Sequence, residues 1–200
     1  RSLAFCEWSL PMWKEHFPEN MEGVSAEMLW RAINQVEPSL IRVEADEATY
    51  NLHIMIRYEV EKLLISGELD VDDLPDAWDD MYERYLGIRS PDRKQGVLQD
   101  IHWSMGAFGY FPTYTLGNLY AAQLLVAARK DLESSGHTLE DDWRQGKFTS
   151  LLGWMREHVH GRGSILTPAG LIEEATGKAP TPDPFVNYLR DKIGTIYGSV

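Results

Sequence analysis

From Ala45 to Leu64 the apolar residues Ala45, Ala48, Leu52, Met55, Ile56, Val60, Leu63 and Leu64 fall on one face of a helix. That spacing, repeated with different residues along most of the chain, constrains the fold more than any other feature. Helix starts and stops punctuate it. Ser25 opens a run over 25–36 that Pro38 ends, because the residue before proline avoids the α region. Gly67 closes the long run over 45–66, and Leu74-Pro75 opens another that stops at Gly87. An alanine-rich run over 118–134 ends at Gly136, and 139–160 holds one or two more helices. Thr167-Pro168 and Asp183-Pro184 start the last two, which end near Gly177 and Gly198. At the other end, 2–10 is apolar and aromatic up to Pro11. Ser39-Leu40-Ile41-Arg42-Val43 is short and β-favouring and predicts one strand. The expected fold is all-α, one unit over 1–200, with at most a small β element.

At 200 residues the chain is long enough to bury a substantial core. Its net charge of −12 argues against a general nucleic-acid binder, which needs a basic surface. No apolar run approaches the roughly 20 residues of a membrane span. A single cysteine, Cys6, excludes an internal disulfide and favours a cytoplasmic setting. Among Phe5, Trp8 and Leu10 it reads as a buried, inert thiol.

Residues 88–117 break the pattern. Gly96, Gly106, Gly109, Pro112 and Gly117 alternate there with His102, Trp103, Phe108, Tyr110, Phe111 and Tyr114, a composition suited to the wall of a pocket. Three constellations could carry chemistry. In Ile41-Arg42-Val43-Glu44-Ala45-Asp46 the arginine fork suits a carboxylate, either an internal one or a ligand's, and Asp46 is equally a helix cap. In Gly96-Val97-Leu98-Gln99-Asp100-Ile101-His102-Trp103 an amide, a carboxylate and an imidazole come together. Asp100 could orient His102, or the histidine could simply be buried and bonded to backbone. In Gly109-Tyr110-Phe111-Pro112-Thr113-Tyr114 a phenol held in a turn either donates to a developing oxyanion or packs. His158 and His160, two apart, point away from each other on a helix and suit its C-terminal dipole better than a metal. His53 reads as a packed or hydrogen-bonded residue, and His16 and His137 as loop or surface residues.

The motifs Ile41-Arg-x-x-Ala-Asp46 and Gly96-x-x-Gln-Asp-x-His-Trp103 resemble two signatures of the Taq-type zinc carboxypeptidases. The stretches 47–53, 102–118 and 171–197 are similar as well, so the resemblance spans essentially the whole chain. It implies the C-terminal portion of a helical, cleft-containing, gluzincin-like peptidase that removes single residues from peptide C-termini, usually as a homodimer. It implies zinc held by a His-Glu-x-x-His motif and a downstream glutamate, with the motif glutamate as general base. Those ligands are not in this sequence, which resembles the part that follows the last of them. Alone, the chain is therefore expected to be inactive and, with apolar surface exposed, to associate. By the same resemblance Arg42 holds the substrate carboxylate, and His102 and Tyr114 hydrogen-bond the oxyanion or substrate backbone. Gln99 and Tyr110 contact substrate, and Asp46 and Asp100 orient. The alternative is a non-catalytic all-α interaction or dimerisation module, which would leave Arg42, His102 and Tyr114 in separate surroundings.

Overall fold

The computed structural model describes residues 1–136 and 138–198; His137 lies outside the described residues. Among the described residues there are nine α-helices and no strand. They are α1 (Leu3–His16), α2 (Ala26–Ile33), α3 (Tyr50–Ser66), α4 (Leu74–Leu86), α5 (Pro112–Ser134), α6 (Leu139–Arg144), α7 (Thr149–His158), α8 (Pro168–Thr176) and α9 (Asp183–Tyr197). None is long and apolar enough to cross a membrane. The chain divides into two compact units. One joins Arg1–Asn34 to Asn118–Val200; the other is Gln35–Gly117. α5 starts in the second unit and continues in the first.

In the first unit, α1 packs on α2 and α6. Ser2 caps α1 by accepting from the Phe5 N–H, and the helix then runs through Pro11 to His16. The expected break at Pro11 is absent. The proline removes one intrahelical bond, but the turns on either side keep theirs. Trp8 meets Phe148 edge-on at 5.2 Å and also fills the space beside Gly146, whose φ is +67°. A Cβ at Gly146 would stand 2.3 Å from the Trp8 indole nitrogen, so only glycine fits. Cys6 is buried, and its burial raises the thiol above its ordinary pKa, as expected of an inert cysteine. Deeper in, Ala128, Trp154 and Ala175 form a small core with Leu124, Leu151 and Met155 packed on it. His158 lies flat on Trp154 at 4.4 Å and donates Nδ1–H to its carbonyl at 3.0 Å, a packed helix end.

In the second unit, α3 packs on α4 around Ile56, Val60, Trp78, Tyr82 and Leu86. Both helices end on left-handed glycines, Gly67 and Gly87, where the sequence places them. The start of α3 differs from expectation. Asp46 accepts hydrogen bonds from the backbone N–H of Ala48 and Thr49 and from the Thr49 hydroxyl, so a turn occupies 46–49 and the helix begins at Tyr50. The predicted strand at 39–43 is also absent. Arg42–Glu44 is a 3-10 turn, because the Arg42 N–H is taken at 2.9 Å by the side-chain oxygen of Gln99 and not by a neighbouring strand.

The buried face of α3 is only partly apolar. His53, Arg57 and Glu61 are buried beside Ile56 and Val60, whereas Met55 is half exposed. His53 contacts the Tyr82 hydroxyl through Nδ1 at 3.0 Å. Burial first, and then the positive charges of Arg57 and Arg42, lower its pKa from 6.5 to about 4. The folded chain therefore holds His53 neutral at a pH where the unfolded chain has already taken up a proton. The stability this gives is complete above pH 6.5 and is lost as pH falls towards about 4. Replacing His53 with Gln should make urea stability less sensitive to lowering the pH from 7 to 4.5. An unchanged loss of stability over that interval would show that His53 is not the group responsible. Trp78→Ala, which empties the centre of this core, should cost about 3–5 kcal/mol in the same assay.

Candidate functional site

The second unit gathers most of the buried polar chemistry around one carboxylate. Asp100 Oδ1 accepts from Arg42 Nε at 3.1 Å and from Arg42 Nη2 at 2.7 Å. Asp100 Oδ2 accepts from Arg57 Nε at 2.6 Å and forms an ion-pair contact with Arg57 Nη2, also at 2.6 Å. Burial alone would raise the Asp100 carboxyl, but the bonds and charges of Arg42 and Arg57 outweigh it and hold it below the usual carboxylate range. Burial would likewise lower the Arg42 guanidinium, and Asp100 and Tyr50 more than offset this, so Arg42 stays charged.

Three chain segments bring these groups together. The turn after Ile41 supplies Arg42. α3 supplies Tyr50, His53, Arg57 and Glu61, at spacings of three and four residues that keep them on one side of the helix. The 96–111 segment supplies Gln99, Asp100 and His102. Gln99 is spent on backbone: its Oε1 holds the Arg42 N–H, while Nε2 donates to the carbonyls of Leu40 and Gln95, each at 3.0 Å. Glu61 closes the 103–109 loop, accepting from Trp103 Nε1 at 2.8 Å and from the Gly109 N–H. Gly109 itself has φ +76°, a conformation that favours glycine.

On the outer side of Arg42 lies an aromatic and imidazole layer. His102 Nε2 and the Tyr114 hydroxyl are 3.0 Å apart. The Arg42 guanidinium sits 5.0 Å from the Tyr114 ring centroid and 5.8 Å from that of Phe111. Tyr110 is half exposed and its ring is 5.7 Å from His102 and 5.4 Å from Tyr114. His102 Nδ1 comes only to 3.8 Å from Asp100, outside hydrogen-bond reach, so the carboxylate serves the two arginines before the imidazole.

Arg42, Gln99, Asp100, His102, Tyr110 and Tyr114 thus share one neighbourhood, graded from the exposed Tyr110 to the sealed Arg57. Asp46 is joined to it only through the 46–49 turn that leads into α3. A packing module would scatter Arg42, His102 and Tyr114; here they touch in sequence. Arg57, Tyr50 and Tyr82 escape the sequence reading. Arg57 donates Nη1–H to the His53 carbonyl at 2.8 Å and lies over Trp78 at 4.7 Å, and Arg42 Nη1 donates to the Tyr50 hydroxyl at 3.0 Å. The signal was available: polar residues at 50, 53, 57 and 61 recur at helical spacing beside an apolar face.

The family model of the Carboxypeptidase Taq (M32) metallopeptidases matches residues 1–193. The chain is 49% identical over 198 residues to Thermostable carboxypeptidase 1 of Thermus thermophilus, covering 99% of this chain and 38% of that protein. It is 43% identical over 184 residues to Carboxypeptidase 1 of Bacillus subtilis, covering 92% and 36%. The crystal structure of the M32 carboxypeptidase from Deinococcus radiodurans R1 superposes with a TM-score of 0.91 at 45% identity, over 98% of this chain and 39% of that one. The chain therefore spans less than two-fifths of the length of these relatives. A metallopeptidase family implies a metal ion. Among the described residues no group of three or more His, Cys, Asp or Glu side chains is placed to hold one. Asp100, the carboxylate at the centre of the cluster, has both oxygens on guanidinium groups, so the cluster does not fit a metal. Matched along 193 residues by the family model and at 40–49% identity by its curated members, this chain belongs to the M32, or Taq-type, carboxypeptidase family.

Proposed function

We propose that the cluster around Arg42, His102 and Tyr114 is the substrate-facing wall of a peptidase that removes single residues from peptide C-termini. The observation that carries this reading is the 3.0 Å contact between His102 Nε2 and the Tyr114 hydroxyl, set against the Arg42 guanidinium. Each partner has a chemical task. With its proton on Nε2, His102 donates to the phenol oxygen, and the Tyr114 O–H is free to point at a substrate oxygen. A phenol so held stabilises negative charge developing on the scissile carbonyl oxygen. Arg42, with one N–H on each terminal nitrogen not committed to Asp100 or Tyr50, offers a cation to the terminal carboxylate. Tyr110, half exposed, lies against the rings of both His102 and Tyr114. Gln99, Asp46 and Asp100 fix the backbone and guanidinium that the substrate meets.

In this reading the metal, zinc, and the general base belong to residues outside those described here. The homodimer and the cytoplasmic setting rest on the family resemblance and on the single buried thiol. Leu98, Ile101 and Met105, each about two-thirds exposed, offer apolar surface for association. Light scattering should find the chain as a dimer or larger at high concentration; a clean monomer would count against an oligomer.

Within a peptidase that joins these residues to its metal-binding part, Tyr114→Phe should lower kcat by roughly 100- to 1000-fold and change KM by only a few-fold, as expected for a donor used mainly in the transition state. Wild-type kcat in that variant would remove Tyr114 from the reaction. The chain alone, supplied with zinc, should release no C-terminal amino acid, and robust release by the pure chain would contradict the division of labour proposed.

A further inference from the structure

Arg57 is the most thoroughly buried charge in the unit. Its side chain is 0% exposed, against 7% for Arg42 and 10% for Asp100. Two guanidinium groups share one carboxylate, so the three groups together carry one positive charge in excess. Neither of the other carboxylates nearby is paired with Arg42 or Arg57: Asp46 is bonded to backbone N–H groups and the Thr49 hydroxyl, and Glu61 to Trp103 and Gly109. His53, whose carbonyl accepts from Arg57 Nη1, adds no charge while neutral.

How Asp100 is divided decides where that excess charge is felt. An isolated arginine and carboxylate pair fork to fork, with both oxygens engaged. Here Arg57 takes Oδ2 and leaves Arg42 a single oxygen, Oδ1. Arg57 is sealed between Trp78 at 4.7 Å and Phe111 at 5.4 Å, and no ligand can reach it. Of the two guanidinium groups, only that of Arg42 retains any solvent exposure, beside the hydroxyl of Tyr50 and the ring of Tyr114.

We infer that Arg57 is a positioning residue: by holding the second oxygen of Asp100 it keeps Arg42 from being neutralised and leaves it open to an anionic ligand. The ligand class is a peptide's terminal carboxylate, so this inference rests on the substrate-wall reading given above. Without Arg57, Asp100 can turn and grip Arg42 with both oxygens, giving a closed, neutral pair.

The test compares binding of an N-acetylated dipeptide with a free carboxylate to binding of its carboxamide, by NMR titration of this chain. The wild-type chain should prefer the free acid by roughly tenfold or more, as a charge-assisted bond pair would give, and Arg42→Met should abolish that preference. Arg57→Met fills the space between Trp78 and Phe111 but lacks the fork; it should bind acid and amide alike, with its helical circular dichroism retained. The decisive variant is the double one, Arg57→Met with Asp100→Asn. It removes the neutralising carboxylate as well, and the acid preference should return. A merely structural role predicts a double variant at least as damaged as the single one, so failure to recover the preference would overturn the inference, as would Arg57→Met retaining it. Should Arg57→Met not fold, Asp100→Asn alone decides: asparagine keeps an Oδ1 acceptor to orient Arg42 but carries no neutralising charge, so the preference for the acid over the amide should persist, and its loss would contradict the mechanism. If the wild-type chain shows no acid preference and Arg42→Met changes nothing, the substrate-wall reading itself fails and the inference falls with it. If Arg42→Met loses the preference while Arg57→Met keeps it, only the role of Arg57 fails.

Discussion

One carboxylate shared by two arginines organises the second unit. Asp100 is nearly buried, and a carboxylate in that position is tolerable only when it is paired and hydrogen-bonded. Arg42 and Arg57 meet both conditions, and each lies over aromatic rings. Breaking one arm of such a buried arrangement costs more than a surface pair, because the remaining charge has no solvent to turn to. The backbone around it follows from the same requirement. Gln99, next to Asp100 in sequence, holds the N–H of Arg42, so the carboxylate and its first arginine are pinned together by side chain and main chain at once.

The second arginine links the cluster to the helical core. Arg57 lies on α3 one turn after His53 and one turn before Glu61, so a single rigid helix carries the imidazole contact to Tyr82, the grip on Asp100 and the clasp on the 103–109 loop. That loop in turn fixes His102 at one end and Tyr110 at the other. The polar layer facing a ligand is thus set by helix geometry two steps behind it. A site supported in this way keeps its side chains within the narrow tolerance that hydrogen-bond chemistry demands.

What could be read from the sequence was local. Helix ends at Gly67, Gly87 and Gly177, and the Thr167-Pro168 start, depend on residues within one turn of themselves, and the chain places them where capping chemistry predicts. Features set by distant partners were not legible. The 39–43 segment has β-favouring residues, but Gln99, 57 residues from Arg42, takes the hydrogen bond that a strand would need. Pro11 normally ends a helix, yet α1 continues through it. Of the site, the two multi-residue motifs pointed to Arg42, Asp100 and His102 without revealing that Asp100 serves two arginines. Arg57 hid because a charged residue amid an apolar period reads as solvent-facing, although its spacing from Tyr50, His53 and Glu61 marks a buried polar stripe.

The account depends on Asp100 being bonded to both guanidinium groups in solution, and the side-chain Nε–H resonances of the arginines report this directly. Nitrogen-15 NMR of the chain should show two arginine Nε–H signals, from Arg42 and Arg57, that exchange slowly with water, and both should move together when Asp100 is replaced by Asn. If both signals exchange as fast as those of the exposed arginines, or if only one responds to Asp100→Asn, the shared carboxylate is not the constraint on which this unit is built.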